Sequence, residues 1–237
     1  TSAALAVSAV PEGLPALLTI TLAMGVQRMG KEKAIVRKLS AVEALGATTV
    51  ILADKTGTMT TNEMTVTKIL IDNQEIDVSG AGFEPKGDFS IKGKQIDPRK
   101  HKELTAALTI SALCNDAVLT KNEQWGVIGD TTEGALIVVA EKAGLDAKEV
   151  SRKYPRVNEI PFSSERKMMS TVHKVGKNLF VYSKGAPEVI LSRCTRILKN
   201  SREVKLSEMH KDEILAEVKE LAEKGLRILA VAYGETK

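Results

Sequence analysis

The sequence predicts an α/β protein in which an apolar N-terminal helix precedes a buried strand and a mixed domain of antiparallel sheet and helices. Three observations predict this class. An almost uncharged run covers residues 1–27, a β-branched run from Thr48 to Ala53 ends on Asp54, and strand-like and helix-like segments follow one another from Met64 onwards. With 237 residues, 43% of them hydrophobic, the chain is long enough to fill a sizeable core.

The run over residues 1–27 is predicted to be a membrane helix. Its only ionisable side chain belongs to Glu12, and about 20 residues of helix cross the core of a bilayer. Pro11 and Pro15 interrupt the run and no basic leader precedes it, so it does not have the pattern of a signal peptide. A buried helix of a soluble protein is the alternative interpretation.

A short basic cluster after this run accounts for the formal net charge of +4. Its basic side chains, opposed only by Glu32, are those of Arg28, Lys31, Lys33, Arg37 and Lys38. Because positive charge favours the cytoplasmic side of a membrane, we expect the residues from about Arg28 onwards to lie in the cytoplasm. The rest of the chain is neutral, which argues against nucleic acid as a partner.

The remaining elements are predicted from apolar periodicity and from turn residues. After the buried strand Thr48–Ala53 we expect a strand over Met64–Ile71 and a turn-rich stretch from Gly80 to Pro98. Helices are predicted at Lys102–Val118, Thr132–Ala143, from Pro187, and at Ser207–Lys224. Further strands are predicted at Asn158–Pro161, Met168–Lys174, Asn178–Ser183 and Arg227–Tyr233.

The motif DKTGT, residues 54–58, begins where the predicted buried strand ends. A carboxylate in this place, followed by a glycine-containing loop with free amides and hydroxyls, suits a phosphoryl group. Asp54 is therefore a candidate nucleophile that forms an aspartyl phosphate. Lys55 and the hydroxyls of Thr56 and Thr58 are candidates for stabilising the charge on the phosphoryl oxygens, with magnesium bridging. A plain polar turn is the alternative.

DKTGT and its continuation TTNEM resemble the phosphorylation motif of the P-type ATPases. The resemblance implies that Asp54 is the phosphorylated residue and that the backbone carbonyl of Thr56 joins it in binding Mg²⁺. It also implies that residues 28–63 are a stalk and the N-terminal part of a Rossmann-like phosphorylation domain of the haloacid-dehalogenase type, with Thr48–Ala53 as its first strand. Residues 1–27 then correspond to part of the transmembrane ion-site helix of a multi-pass membrane protein.

The motif PEGLP, residues 11–15, interrupts the apolar run with two prolines and a glycine. Carbonyl groups that lose their helical hydrogen bonds at membrane depth are tolerated only where they line a polar site. A carboxylate beside them completes a set of hard oxygen ligands for a cation. The motif resembles the broken transmembrane helix of cation pumps, and PEGLPA is closer to calcium pumps than to sodium/potassium pumps. The resemblance implies that the transported cation binds Glu12 and the carbonyls of Val7, Ser8 and Val10.

Four further matches imply a nucleotide-binding domain over residues 64–233, with residues 234–237 starting the return to the phosphorylation domain. KGAPE implies Lys184 and Gly185 in the ATP pocket, and PFSSERKMMS implies that Phe162 stacks on the base and that Lys167 reaches the nucleotide. GDTTEGAL implies that Glu133 lies at the adenine side of the pocket, and GLRILAVAY implies that Arg227 lies near the phosphates. The sequence departs from the calcium-pump pattern at Ser164, where arginine is usual, and at Thr131, where proline is common.

The resemblance thus predicts ATP-driven cation transport through an aspartyl phosphate, with calcium as the cation and ATP and Mg²⁺ as cofactors. Expected partners are the lipid bilayer and the missing actuator domain, remaining phosphorylation domain and other membrane helices of the same pump. We expect this fragment to bind ATP without sustained turnover.

Three alternatives stay open at this point. The first is a pump of the same class that moves sodium/potassium, protons or magnesium. The second is a soluble phosphohydrolase of the haloacid-dehalogenase type, which normally carries an aspartate where this sequence has Thr56. The third is a nucleotide-binding module in which Asp54 has no role.

Overall fold

The computed structural model describes residues 13–236. The chain divides into two compact units, the first ending at Met59 and the second beginning at Thr60. The predicted cation ligands lie outside the described residues, namely Val7, Ser8, Val10 and Glu12.

The described part of the first unit, from residue 13, contains the helices α1 (Leu14–Lys31) and α2 (Ser40–Gly46). Helix α1 begins with Pro15 in its first turn, where the missing N–H of proline costs nothing because that donor has no partner within the helix. Its last turn carries Arg28 and Lys31, whose charges complement the negative end of the helix dipole. Within residues 13–236 no helix is both long and apolar enough to cross a membrane. Residues 1–12 of the predicted span 1–27 lie outside this described part.

The strand predicted over Thr48–Ala53 is not formed, so the first strand of a Rossmann-like domain is not found. These residues adopt no regular structure, and the side chains of Val50, Ile51 and Leu52 are 71%, 87% and 95% exposed. A buried strand needs neighbouring strands for its N–H and C=O groups. Among the described residues no strand pairs with this segment, and an apolar run by itself cannot supply that pairing.

The second unit is built on two antiparallel sheets and two separate hairpins. The first sheet is a meander of β1 (Lys68–Ile71), β2 (Gln74–Val78), β3 (Phe89–Ile91) and β4 (Lys94–Ile96). One hairpin joins β5 (Val118–Lys121) to β6 (Trp125–Ile128). The second sheet has the order β12-β9-β8-β7, with β7 (Arg156–Ser163), β8 (Met168–Val175), β9 (Asn178–Gly185) and β12 (Ala230–Thr236). The other hairpin joins β10 (Arg196–Lys199) to β11 (Arg202–Lys205).

Helix α3 (Lys102–Leu113) lies between the two sheets and contacts both through different faces. Leu104, Leu108 and Ala112, spaced four residues apart, join the core with the first sheet. Ile110 and Cys114 face the second sheet, where they meet Met169. The other helices of this unit are α4 (Thr131–Lys142), α5 (Ala147–Lys153), α6 (Pro187–Arg193) and α7 (Glu208–Glu223), and Pro98–Lys100 forms a short 3₁₀ turn.

These elements confirm the α/β class, with antiparallel sheets and helices in the second unit. The predicted helix Lys102–Val118 is too long, because α3 ends at Leu113. The side-chain oxygen of Asn115 accepts a hydrogen bond from the N–H of Ala117 at 2.9 Å, and this Asx turn ends the helical path. The stretch from Gly80 to Pro98, predicted as turns, also contains the hairpin of β3 and β4.

Candidate functional site

The register of the second sheet aligns four strands at one end. Ser163 of β7 lies opposite Met168, Met168 opposite Gly185, and Gly185 opposite Ala230. Four of the candidate site residues lie in this row or one residue away from it, namely Phe162, Lys167, Lys184 and Gly185. Met168 and Gly185, 17 positions apart in the sequence, are therefore strand partners at this end of the sheet.

Gly185 allows two strands to approach more closely than a side chain would permit. A Cβ atom built on it would lie 2.5 Å from the carbonyl oxygen of Lys167 and 2.6 Å from the Cβ of Met168. The next residue, Ala186, donates its N–H to the same Lys167 carbonyl at 2.9 Å. Lys167 itself has φ +50°, a left-handed conformation at the end of the β7–β8 turn.

Lys184 forms a largely buried ion pair with Glu133. Its Nζ donates to the Glu133 Oε1 at 2.6 Å, and the two side chains are only 8% and 16% exposed. The strand partners of Lys184 are Met169 and Val231, so its side chain extends from between two apolar neighbours. A lysine in such a place requires a hydrogen-bonded counter-charge, and α4 supplies it.

Glu133 is held in place from several sides. Asp130 caps the N-terminus of α4 by accepting from the N–H groups of Thr132 at 2.8 Å and Glu133 at 3.2 Å. The Oε2 of Glu133 accepts from the N–H of Asp116 at 3.1 Å, and its backbone carbonyl accepts from the Asn115 amide at 2.9 Å. Its position in the first turn of α4 also stabilises a carboxylate through the helix dipole.

The cap itself is charged at neutral pH. Burial tends to raise the pKa of Asp130, but the N–H groups of Glu133 and Thr132 favour its ionised form and hold the pKa below its ordinary value of 3.8. The cap therefore keeps the first turn of α4 fixed over the whole neutral range.

The remaining candidate residues are more exposed. The Nη1 of Arg227 lies 3.5 Å from the hydroxyl of Thr132, next to Glu133. Lys167 is 61% exposed, with its Nζ 3.7 Å from the Oε1 of Glu188. Phe162 is 59% exposed, an unusual state for a large aromatic side chain at the end of a sheet. The predicted residues thus comprise a recessed ion pair, two exposed cationic side chains and an exposed aromatic ring.

This arrangement suits a ligand that has a planar ring and negative charges. An exposed aromatic face stacks on a ring, and lysine and arginine side chains bind anionic oxygens. The site is an open surface at the end of the sheet. Two surface depressions of the second unit lie elsewhere, one lined by residues such as Leu70 and Glu217 and the other by residues such as Asp88 and Lys142.

The other candidate site belongs to the first unit. Lys55, Thr56 and Thr58 lie on an exposed turn directly after the exposed Asp54, and in this turn the N–H of Met59 donates to the carbonyl of Lys55 at 3.0 Å. Gly57 has φ +73°, which glycine adopts without strain. In the described part of the chain no three His, Cys, Asp or Glu side chains are grouped to hold a metal ion.

Some of the supporting residues were not singled out from the sequence. The spacing of Asp130 and Glu133 is that of a helix N-cap and its third residue, a signal that predicts the cap. It does not predict that the Glu133 carboxylate pairs with Lys184, 51 residues away. No local signal in the sequence marks Asn115 or Asp116, or Arg156, which binds the same segment.

Comparison with known proteins gives a consistent result. Residues 103–237 match the family model described as P-type ATPase, cytoplasmic domain N. The chain is 44% identical over 235 residues to a calcium-transporting ATPase of Bacillus subtilis, which covers 98% of this chain and 26% of that protein. It is 43% identical over 235 residues to the cation-transporting ATPase pma1 of Synechocystis, covering 97% of this chain and 26% of that protein.

A mammalian relative is similarly close. The calcium-transporting ATPase type 2C member 1 of Bos taurus is 40% identical over 238 residues, covering 98% of this chain and 24% of that protein. The chain therefore spans about a quarter of the length of these relatives.

Proposed function

Because the chain belongs to the P-type cation-transporting ATPases, we propose that it is the part of an ATP-driven cation pump that binds ATP and carries the phosphorylated aspartate. The proposed cation is calcium, since two of the relatives described above are named calcium-transporting ATPases. The proposed cofactors are ATP and Mg²⁺.

The observation that carries the proposal is the row of residues at the end of the second sheet. Phe162 offers an exposed face for the adenine ring. Lys184 is recessed beside Glu133, where its ammonium and the carboxylate can exchange hydrogen bonds with the polar edge of a bound nucleoside. Arg227 lies beside Thr132, next to Glu133, and Lys167 has an exposed ammonium group; these two side chains are the proposed phosphate ligands.

Gly185 supports the same proposal through the backbone. Its contact with Lys167 holds the end of β8 against the end of β9. That contact fixes the backbone of Lys167 relative to that of Gly185, next to Lys184, and so sets where the two proposed ligand side chains begin.

The proposed reaction is a phosphoryl transfer to Asp54. A carboxylate oxygen of Asp54 forms a bond to the γ-phosphorus of ATP, the bond from that phosphorus to its bridging oxygen breaks, and ADP leaves. Lys55 and the hydroxyls of Thr56 and Thr58 belong to the same exposed turn and are proposed to stabilise the phosphoryl oxygens. Asp54 and the Thr56 carbonyl would hold Mg²⁺, which neutralises phosphate charge and is usually bound by one or two carboxylates together with the substrate phosphates.

The transport site is proposed at the N-terminal end of the chain. Glu12 and the carbonyls of Val7, Ser8 and Val10 are the proposed ligands of the transported cation, in a membrane helix over residues 1–27. The residues from about Arg28 onwards are proposed to be cytoplasmic, and the actuator domain and the other membrane helices of the pump are the proposed partners.

A calorimetric titration of ATP into the 237-residue chain tests the nucleotide site. We expect millimolar or tighter binding that weakens in Phe162→Ala and in Lys184→Ala. Val157→Ala is the control for the first variant, because Val157 is 55% exposed on the same strand. Lys174→Ala is the control for the second, because Lys174 lies near the opposite end of β8. A folded chain that does not bind millimolar ATP would contradict the proposal and favour a phosphohydrolase.

The role of Asp54 is tested in the complete pump. Asp54→Asn keeps the size of the side chain but removes the nucleophilic carboxylate, so we expect ATP binding to persist and the acid-stable phosphoenzyme to disappear. Phosphoenzyme that persists in this variant would contradict the assignment.

A further inference from the structure

The guanidinium of Arg156, at the start of β7, binds the segment that follows helix α3. Its Nη2 donates to the carbonyl of Leu113 at 3.2 Å and also to the carbonyl of Asn115. Its Nη1 lies 2.6 Å from the Oδ1 of Asp116 and 2.6 Å from the Oε2 of Glu159. One side chain thus holds the last carbonyl of α3 and, beyond Cys114, the residues Asn115 and Asp116.

The segment held by Arg156 is the one that holds Glu133. Asn115 donates its side-chain amide to the carbonyl of Glu133, and Asp116 donates its N–H to the Glu133 Oε2. The other carboxylate oxygen of Glu133 accepts from Lys184. A continuous set of hydrogen bonds therefore runs from Arg156 through Asn115 and Asp116 to the buried ion pair.

We propose that Arg156 is a positioning residue for the nucleotide site, acting through Asn115 and Asp116 on the Glu133–Lys184 pair. The inference rests on the proposed function, because the pair is taken as part of the ATP site. Arg156 itself is not proposed to touch the nucleotide.

The shape of arginine explains why this residue type is needed. A planar fork directs one nitrogen to the backbone carbonyls and the other to the carboxylates of Asp116 and Glu159 at the same time. A lysine carries the same charge as a single point and cannot keep both directions. Arg156→Lys therefore preserves the charge but loses some of the hydrogen bonds that hold this segment.

A simple helix cap would have a different signature. A positive charge at the C-terminus of α3 stabilises the helix whatever happens at Glu133, so its loss would lower stability without a specific effect on ATP. A positioning residue instead has an effect on ATP affinity that depends on the Glu133 carboxylate. A double-mutant cycle separates the two.

The experiment is a calorimetric titration of ATP into the full 237-residue chain and three variants: Arg156→Lys, Glu133→Gln and the double variant. Arg196→Lys is the matched control, because Arg196 also pairs with a carboxylate, that of Glu203 at 3.0 Å, on the β10–β11 hairpin. Each protein is also unfolded with urea, which measures stability separately.

We expect Arg156→Lys to weaken ATP binding about three- to tenfold and Arg196→Lys to leave it unchanged. In the Glu133→Gln background, Arg156→Lys should weaken binding less than twofold further, while its effect on stability persists. Equal losses in both backgrounds, or no loss in Arg156→Lys when the unmutated chain binds ATP, would overturn the inference.

A second readout does not need ATP. The ammonium resonance of Lys184 in a ¹⁵N-labelled chain should shift in Arg156→Lys and not in Arg196→Lys, because the Glu133 carboxylate moves only in the first. If the resonance shifts but the unmutated chain does not bind ATP, the set of hydrogen bonds stands and the proposed function fails. If the resonance does not move, the positioning role is overturned. If Arg156→Lys folds poorly, Asp116→Asn replaces it in this measurement. That variant weakens the pair with Arg156 but keeps the N–H to Glu133, so we expect the Lys184 resonance to shift in the same way.

Discussion

Gly185 and Lys167 lie in backbone contact across the ends of two neighbouring strands. A Cβ atom at Gly185 would lie 2.5 Å from the Lys167 carbonyl oxygen, whose acceptor role is already taken by the N–H of Ala186 at 2.9 Å. The obstacle is backbone, so no side-chain rotation relieves it. The close approach of β8 and β9 at this end of the sheet is therefore available only to glycine.

The first prediction concerns this contact. Gly185→Ala forces the two strand ends apart and should lower the free energy of unfolding by about 2 kcal/mol, as overpacking does elsewhere. It should also weaken ATP binding, because Lys167 and Lys184 lose their common support. Urea unfolding and ATP titration measure the two effects.

Gly234→Ala is the control for this variant. Gly234 lies on the adjacent strand β12, and a Cβ atom there meets no other atom within 4 Å. Its stability should stay within about 0.5 kcal/mol of the unmutated chain. A Gly185→Ala variant as stable as Gly234→Ala would show that the strand ends move freely.

The second prediction compares two helix caps of the same chemistry. Asp130 caps α4 and Asp146 caps α5, and each accepts two backbone N–H groups between 2.8 and 3.2 Å. Replacing either by alanine should cost about 1 kcal/mol of stability. Only Asp130→Ala should also weaken ATP binding, because α4 carries Glu133. Equal ATP affinity in the two variants would contradict a role for the first turn of α4.

The third prediction concerns the buried imidazole of His173. Burial lowers the pKa of this ring below its ordinary value of 6.5, so the neutral form is native. Below pH 6.5 the unfolded chain binds a proton that the folded chain excludes. Stability due to His173 is therefore complete above about pH 6.5 and falls as the pH drops below it, by at most about 1.4 kcal/mol per pH unit.

Urea unfolding of the unmutated chain and of His173→Gln between pH 5.5 and 7.5 measures this effect. The ring nitrogens of His173 lie 2.8 Å from the carbonyl of Tyr154 and 2.9 Å from the hydroxyl of Thr171, contacts that the Gln amide partly replaces. Below pH 6.5 the unfolding free energy of the variant should depend less on pH than that of the unmutated chain. Above pH 7 the two proteins should show the same pH dependence. Identical slopes in both proteins would contradict a depressed pKa.

The fourth prediction uses Cys114 as a probe of the packing of α3. Its side chain is fully buried, its Sγ lies 3.7 Å from the carbonyl oxygen of Met169, and burial raises the pKa of the thiol. In a Cys194→Ser background, a thiol reagent should modify the native chain at least about a hundredfold more slowly than the unfolded chain. Fast labelling under native conditions would show that α3 separates readily from the second sheet.

Local patterns predicted much of the second unit. The strands at β8 and β9 follow from β-branched and aromatic residues bounded by turns, and the start of α6 follows from Pro187 in its first turn. The α4 helix follows from an apolar run behind Asp130. In each case the deciding residues are neighbours in the sequence, which is why the pattern was sufficient.

Non-local contacts could not be read in the same way. The position of Arg156 on the Asn115–Asp116 segment joins residues about 40 apart, and the pairing of Glu133 with Lys184 joins residues 51 apart. Neither leaves a periodic signal. The strand prediction for residues 48–53 is wrong for the opposite reason: the local composition favours a strand, but no described strand pairs with it.

The exposure of that segment has a consequence for handling the chain. Residues 48–53 form a six-residue run with high β propensity, without charge or proline, and its largest side chains face solvent. Such a run is a template for cross-β stacking between copies. The charges of Asp54 and Lys55 at its end act as gatekeepers against fibril growth. The variant Asp54→Asn removes one of them, so its preparations should be checked for aggregates by light scattering before any loss of activity is assigned to chemistry.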